Sequence, residues 1–320
     1  MRSRKEETLH PRNRHRGGLD FARLSRACPA LKPHISTNQW GNEAIDFANP
    51  AAQRLLNAAL LKEYYGVGHW DLPEGALCPS IPGRADYIHC LADLLAESNR
   101  TSIPRGQQVR ALDIGVGASC VYPLIGHAEY GWRFLGTDID ARALSSAQQI
   151  VDSNAGLKGQ IELRLQPSLA KILGGILQRD ELFDLTLCNP PFHGSPAEAE
   201  VSAKRKWSRL GKDARNGGRP TLNYGGQDRE LWCPGGELAF VRKLIAESVP
   251  LAKRCLWFTS LISKSDHLRP LRAALTLAHV VESRTVEMKA GQKTSRLLAW
   301  TYLTPAEREA WRARAQGSIP

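Results

Sequence analysis

The chain has 320 residues, 42% of them hydrophobic, and a formal net charge of +11 from 43 Lys and Arg against 32 Asp and Glu. That length suits one α/β domain with appendages or two domains, and no apolar run reaches the roughly 18 residues of a membrane span. The positive surplus suits a polyanionic partner, because Lys and Arg contacts to phosphate supply most sequence-independent nucleic-acid affinity; a basic enzyme without such a partner has the same balance. The seven cysteines are odd in number, scattered and without a C-x-x-C pair, and the nine histidines are equally dispersed. They read as reduced core residues of a cytoplasmic protein and not as a disulfide frame or a metal site. The Arg-rich N-terminus lacks the apolar segment of a signal peptide.

Residues 1–18 carry Arg2, Arg4, Lys5, Arg12, Arg14 and Arg16 with almost no apolar side chains. Such a segment cannot offset its ordering entropy by burial, so it is expected as a mobile basic arm that grips RNA, with Arg12, Arg14 and Arg16 as contacts. Residues 19–98 read as a helical module. Leu55, Leu56, Ala59, Leu60 and Tyr64 share one helical face after the start signal Asn49-Pro50, and a second helix runs through Tyr87, Leu91, Leu94 and Leu95.

A catalytic domain is expected over 99–320, opened by a polar linker at 99–108. Strands are predicted near 109–114, 132–138, 160–165, 183–188, 254–261, 280–288 and 296–302, with helices near 119–128, 141–154, 168–178, 237–249 and 266–278. This alternation makes the fold class α/β, a doubly wound sheet covered on both faces and ending in an antiparallel hairpin. Residues 193–236 break the pattern. They interleave Lys204, Arg205, Lys206, Arg209, Lys212, Arg215 and Arg219 with Trp207, Tyr224 and Trp232. Basic side chains among aromatics suit phosphate contact plus base stacking, so the segment reads as an RNA-binding insertion.

Val109 to Gly117 is a strand running into a glycine turn, and a helix beginning near Ser119 aims its amides at whatever the turn holds. Asp138, about 20 residues on at the next strand end, is placed to meet ribose hydroxyls. The third glycine of the dinucleotide fingerprint is replaced by Cys120, which disfavours a nicotinamide cofactor; Asp113 ahead of the glycines, together with the later Asn-Pro-Pro-Phe, favours S-adenosylmethionine. About 75 residues after the turn, a spacing typical of one α/β domain, the strand Leu185–Cys188 runs into Asn189-Pro190-Pro191-Phe192. The Asn189 amide oxygen and the Pro190 carbonyl can accept the two N–H bonds of a planar NH₂ group while Phe192 stacks on the ring that carries it. Such a pair suits methyl transfer to an exocyclic nitrogen. A DNA adenine, a protein glutamine amide and a non-catalytic RNA-binding assembly factor are the alternatives.

These motifs, with Leu9 to His15, Ile81 to His89, Gly235 to Val241, Leu256 to Ser260 and Gly291-Gln292-Lys293, resemble the bacterial 23S ribosomal RNA adenine N6-methyltransferases of the large-subunit methyltransferase F type. That family is related to eukaryotic methyltransferase-like enzymes that modify a small nuclear RNA. The resemblance covers nearly the whole chain. It implies a seven-stranded, Rossmann-like class I methyltransferase sheet, S-adenosylmethionine as donor, and one adenosine of 23S ribosomal RNA as acceptor, free or in an assembly intermediate. It further implies that Arg84, Gly115, Ser119, Asp138 and Ser168 line the cofactor pocket beside Asp113 and Gly117, with Asn189 on both cofactor and base. The enzyme is expected to act as a cytoplasmic monomer without a metal.

Overall fold

Asp20 opens the first helix, α1 (Phe21–Ala27), by accepting the amide of Arg23 at 2.9 Å. The computed structural model describes residues 9–98, 102–198, 201, 231–290 and 293–315. A short antiparallel ribbon follows, β1 (Ile35–Thr37) and β2 (Glu43–Ile45), then α2 (Pro50–Tyr65) and α3 (Ile81–Glu97). Asn49 caps α2 through the amides of Ala51 and Ala52, with Pro50 at the first helical position and Gly66, at φ 70°, ending it.

The main sheet is built from β3 (Arg110–Ile114), β4 (Arg133–Asp138), β5 (Ile161–Leu165), β6 (Phe183–Cys188), β7 (Cys255–Ile262), β8 (Glu282–Ala290) and β9 (Lys293–Thr301), in the order β5-β4-β3-β6-β7-β9-β8. The first five are mutually parallel, and β9 runs antiparallel to both β7 and β8. Further helices are α4 (Val121–Tyr130), α5 (Ala141–Asp152), α6 (Gly236–Ser248), α7 (Leu268–Leu277) and α8 (Pro305–Ala315).

The period-2 alternation of strand side chains sorts the core into two layers. Ala111, Leu185, Trp257, Leu297 and Ala299 pack with α2 to α5, whereas Leu112, Phe258, Leu298 and Trp300 pack with α6 and α7. The N-terminal helices therefore share one core with the sheet. Strand order reverses between β3 and β6, and a crevice opens there at the carboxyl ends of the strands, where ligands bind open α/β sheets.

Two expectations need correction. No helix forms over 168–178: the chain makes successive turns, and Glu247 accepts the amides of Ile172, Leu173 and Gly174 at 2.8, 2.7 and 3.1 Å. One carboxylate from α6 thus satisfies donors that a helix would have used. Residues 9–18 of the expected mobile arm are packed against the body. His10 N–H donates to Asp86, Asn13 bridges Asp86 and the Pro82 carbonyl, and Arg12 pairs with Asp93 at 2.6 Å. Arg14 pairs with Glu129 at 2.7 Å, and the buried His15 meets the Tyr65 hydroxyl at 2.8 Å. Carboxylates distant in sequence supply the ordering that the segment's own composition cannot.

Candidate active site

The turn after β3 is strapped to the end of β4. Gly115 and Val116 donate to the Thr137 carbonyl at 2.8 and 2.9 Å, and Gly117 N–H donates to Asp138 Oδ2 at 2.9 Å. Gly115 (φ 75°) and Gly117 (φ 64°) occupy the left-handed region, and Cys120, at the third glycine's place, does too with φ 51°. The unusual residue thus keeps the conformation that glycine favours. A Cβ added at Gly115 would meet nothing within 4 Å, so the backbone there faces open space. Asp140, and not Asp138, caps α5 through the Arg142 amide at 2.8 Å. Asp138 is left to clasp the turn with one oxygen and the Asp140 amide with the other, at 2.9 Å.

That open space is a cavity of about 1290 Å³. It brings together Arg84, Gly115, Gly117, Ser119, Asp138 and Asn189. The other expected residues stand outside its lining. Asp113 is fully buried behind the glycine turn, Pro190 is buried, and Phe192 is half-buried. Ser168 lies between two lining residues, Gln166 and Leu169, its amide donating to Gln166 Oε1 at 3.0 Å.

Electrostatics at the cavity floor are set by burial. Neither carboxylate oxygen of Asp113 has a hydrogen-bond partner among the described residues. Burial pushes its carboxyl well above the usual range, the nearby Asp138 adds to the rise, and Arg84 opposes it. Burial likewise pushes the Tyr122 hydroxyl up to about 12, again against Arg84. Arg84, in the first turn of α3, donates to that hydroxyl, so a cation from the N-terminal helices reaches the sheet's crevice.

Sequence reasoning did not find Tyr122, the Gln166 side chain, Cys233-Pro234, or the wall formed by residues between His69 and Pro79, and it gave Trp232 to the RNA-binding insertion, whereas Trp232 lines the cavity. Gly235-Gly236 was the available signal for the third of these; Gly236, at φ 63°, lets the chain pass beside Gly194. His193 and Trp232 form a parallel bridge in which His193 N–H donates to the Leu231 carbonyl and Cys233 N–H to the His193 carbonyl, both at 3.0 Å. The basic insertion therefore leaves and rejoins the body beside Asn189. Lys204, Arg205, Lys206 and Arg209 lie outside the described residues. Arg12 and Arg14 are engaged with Asp93 and Glu129, and Arg16 is exposed.

The profile of a family described as RNA methyltransferase matches residues 3–304. Among curated proteins, a ribosomal RNA large subunit methyltransferase F of Pseudomonas entomophila is 57% identical, with 96% of this chain and 97% of that protein covered. A protein of the same name from Dechloromonas aromatica is 54% identical, covering 98% and 92%. Among solved structures, the catalytic domain of human METTL16 in complex with the MAT2A 3′UTR hairpin 6 superposes with a TM-score of 0.76 at 32% identity, covering 93% of this chain and 98% of that one. The N-terminal domain of human METTL16 in complex with SAH gives 0.70 at 29%, covering 92% and 99%. With a strapped glycine turn and an Asn-Pro-Pro-Phe turn meeting at one crevice, and with likeness of this extent, the chain belongs to the RNA methyltransferase family.

Proposed function

We propose that the protein transfers a methyl group from S-adenosylmethionine to the exocyclic N6 of one adenosine in 23S ribosomal RNA, as a cytoplasmic monomer. The observation that carries this is the convergence of Asn189 with Arg84, Gly115, Gly117, Ser119 and Asp138 on one cavity. At about 1290 Å³ the cavity exceeds the roughly 300–1000 Å³ of a single small-ligand site, so it has room for a donor and a base side by side. The relatives named as ribosomal RNA methyltransferases support the RNA class, and the SAH-bound structure supports the donor.

The residues present fit that donor. The glycine backbone faces open space that a Cβ at Gly115 would enter, and Asp138 has lone pairs to spare beyond its two amide bonds. Arg84 offers a cation to a carboxylate. When bound, S-adenosylmethionine supplies an electrophilic methyl on its sulfonium. The chain's own part is orientation. An adenine N6 is a poor nucleophile because its lone pair is delocalised into the ring. The Asn189 side-chain oxygen and the Pro190 carbonyl accept its two N–H bonds and draw the nitrogen towards tetrahedral geometry. The freed lone pair then points along the cavity towards the glycine turn, and Phe192 stacks on the base, which must be unpaired or flipped to enter. No general base is required, because the proton leaves to solvent after transfer.

The test is incubation with labelled S-adenosylmethionine and large-subunit RNA from cells lacking the enzyme, followed by digestion to nucleosides. Label in N6-methyladenosine is expected. Asn189→Ala is expected to lower turnover by about 100- to 1000-fold while leaving affinity for S-adenosylhomocysteine nearly unchanged. Equal loss of both would make Asn189 a cofactor or structural residue instead.

A further inference from the structure

Strands β6 and β7 pair through Phe183↔Cys255 and Leu185↔Trp257, and their registered pairing stops there. One residue further on, side chains take over. Thr259 N–H donates to Thr186 Oγ1 at 3.0 Å, and the Thr259 hydroxyl donates to the Thr186 carbonyl at 2.7 Å. A third hydroxyl enters from α3: Tyr87 Oη lies 2.8 Å from Thr259 Oγ1 and accepts Cys188 N–H at 3.3 Å.

The proton positions follow from this set. The single hydroxyl hydrogen of Thr259 is committed to the Thr186 carbonyl, so between Tyr87 and Thr259 it is Tyr87 that donates. The chain of donation therefore runs from Cys188 N–H to Tyr87 O–H to Thr259 O–H to the Thr186 carbonyl. It begins and ends on β6, passing through α3 and β7. Tyr87, Thr186, Cys188 and Thr259 are all almost completely buried, and in such a dry setting linked hydrogen bonds reinforce one another. Burial raises the Tyr87 hydroxyl well above the usual phenol range, which keeps its proton in place. The Tyr87 ring also meets Tyr122 edge-on, with centroids 5.4 Å apart, and Tyr122 receives Arg84. Three residues apart on α3, Arg84 and Tyr87 thus address the cavity and the strand that delivers Asn189.

We propose that Tyr87 is a positioning residue for methyl transfer, its hydroxyl fixing the height and direction at which Asn189 leaves β6. This rests on the assignment of Asn189 as the acceptor for the amine. Where the β6–β7 ladder ends, while β3 stays paired with β6 through Ile114↔Cys188, a side chain from the N-terminal helices takes the place of β7 and holds the last backbone amide before the Asn189 turn.

The experiment uses the full chain carrying Tyr87→Phe, which removes the hydroxyl and keeps the ring. At saturating RNA and donor, turnover is expected to fall by about 10- to 100-fold, the cost of a small misplacement of a reacting group. Affinity for S-adenosylhomocysteine and KM for RNA are expected to stay near the parent values, a split that general loosening does not produce. Thr259→Val breaks the same relay with a β-branched side chain and should give the same fall, the double variant falling no further than either single one. Should Tyr87→Phe fail to fold, Thr259→Val alone decides. Parent-like turnover in a folded variant, or turnover and cofactor affinity lost in step, overturns the proposal. Asn189→Ala, measured alongside, separates the two ideas. Its loss of turnover with an active Tyr87→Phe overturns only the relay, while parent-like turnover in Asn189→Ala overturns the acceptor assignment itself.

Discussion

The guanidinium of Arg84 lies over the ring of Tyr122, 5.2 Å from its centroid, and donates to its hydroxyl. The ring holds the cation at the cavity wall, and a planar fork can stack and donate at once where an ammonium cannot. Arg84→Ala is expected to weaken S-adenosylhomocysteine binding by about 10- to 100-fold, the loss of a charge-assisted bond worth roughly 1.5–3 kcal/mol, and Arg84→Lys to recover little of it. Titration calorimetry checks this; an unchanged Kd would remove Arg84 from the cofactor site.

Asp138 holds two amides with two oxygens, those of Gly117 and Asp140. Asn has one acceptor oxygen in the same shape, so Asp138→Asn must release one of them and loses the charge offered to a ribose. The expected result is about tenfold weaker cofactor binding, roughly 1.4 kcal/mol. If binding held and only the melting temperature fell, Asp138 would be a clasp for the turn alone.

Asn13 places its amide nitrogen on the Asp86 carboxylate and the Pro82 carbonyl, at the start of the helix that carries Arg84. Burial raises the Asp86 carboxyl, and Asn13 and the His10 amide oppose that rise. Asn13→Ala leaves Asp86 with the His10 N–H alone and strands the buried His15 N–H, which donates to Asn13 Oδ1 at 2.8 Å, so stability should fall by about 1–3 kcal/mol, read by denaturant unfolding. A change well below this would show that water replaces the amide.

Two buried imidazoles make stability depend on pH. Burial lowers His15 from its ordinary 6.5 to about 4, with Arg14 contributing, and lowers His89 to about 3, with His10 and Arg12 contributing. Folded pKa values lie below unfolded ones, so in the window from about 6.5 down to about 3–4 the unfolded chain binds more protons. Stability is therefore full above that window and drains away as pH falls through it. Thermal melts between neutral pH and pH 5 should show the decline, and His15→Gln, a neutral partner for Tyr65, should flatten it. An equally steep fall in that variant would assign the effect elsewhere.

The basic insertion carries a prediction of its own. If Lys204, Arg205 and Lys206 each neutralise one phosphate of unpaired RNA, replacing all three by Ala should reduce the salt slope of log K by about 2, since each contact contributes roughly 0.7. Binding measured across a salt series decides it, and an unchanged slope would sink the role of these side chains.

What the sequence made legible follows from how local each signal is. The central strands are short, mostly apolar segments bounded by turns, and the glycine turn and Asn189 follow two of them directly, so their meeting at one crevice was readable. The segment 168–178 was misread because its pattern is helical while Glu247 in a distant helix takes its amides. The ordering of residues 9–18 depends on Asp86, Asp93 and Glu129, none of them near in sequence. The β1–β2 ribbon has only three residues in each strand, too few to show an alternating pattern. α8 has charged residues at five of its eleven positions and little apolar pattern, and it is anchored through the Trp311 indole, which donates to Asp184 at 2.9 Å. Tyr87 sits on an apolar helical face, and nothing in a one-dimensional pattern separates a core tyrosine from one whose hydroxyl closes a relay.

The bridge between His193 and Trp232 uncouples length from geometry. Because the two ends of the intervening stretch are stitched together on the body, the entropy of closing that loop grows only slowly with the number of residues it contains. Residues can be added, removed or exchanged between the stitches while Asn189 and the cavity wall keep their places. If the intervening stretch contacts RNA as its composition suggests, chemistry and choice of RNA sit on separately adjustable parts, and a stretch grafted from a relative at these two points would redirect the target without rebuilding the Asn189 turn.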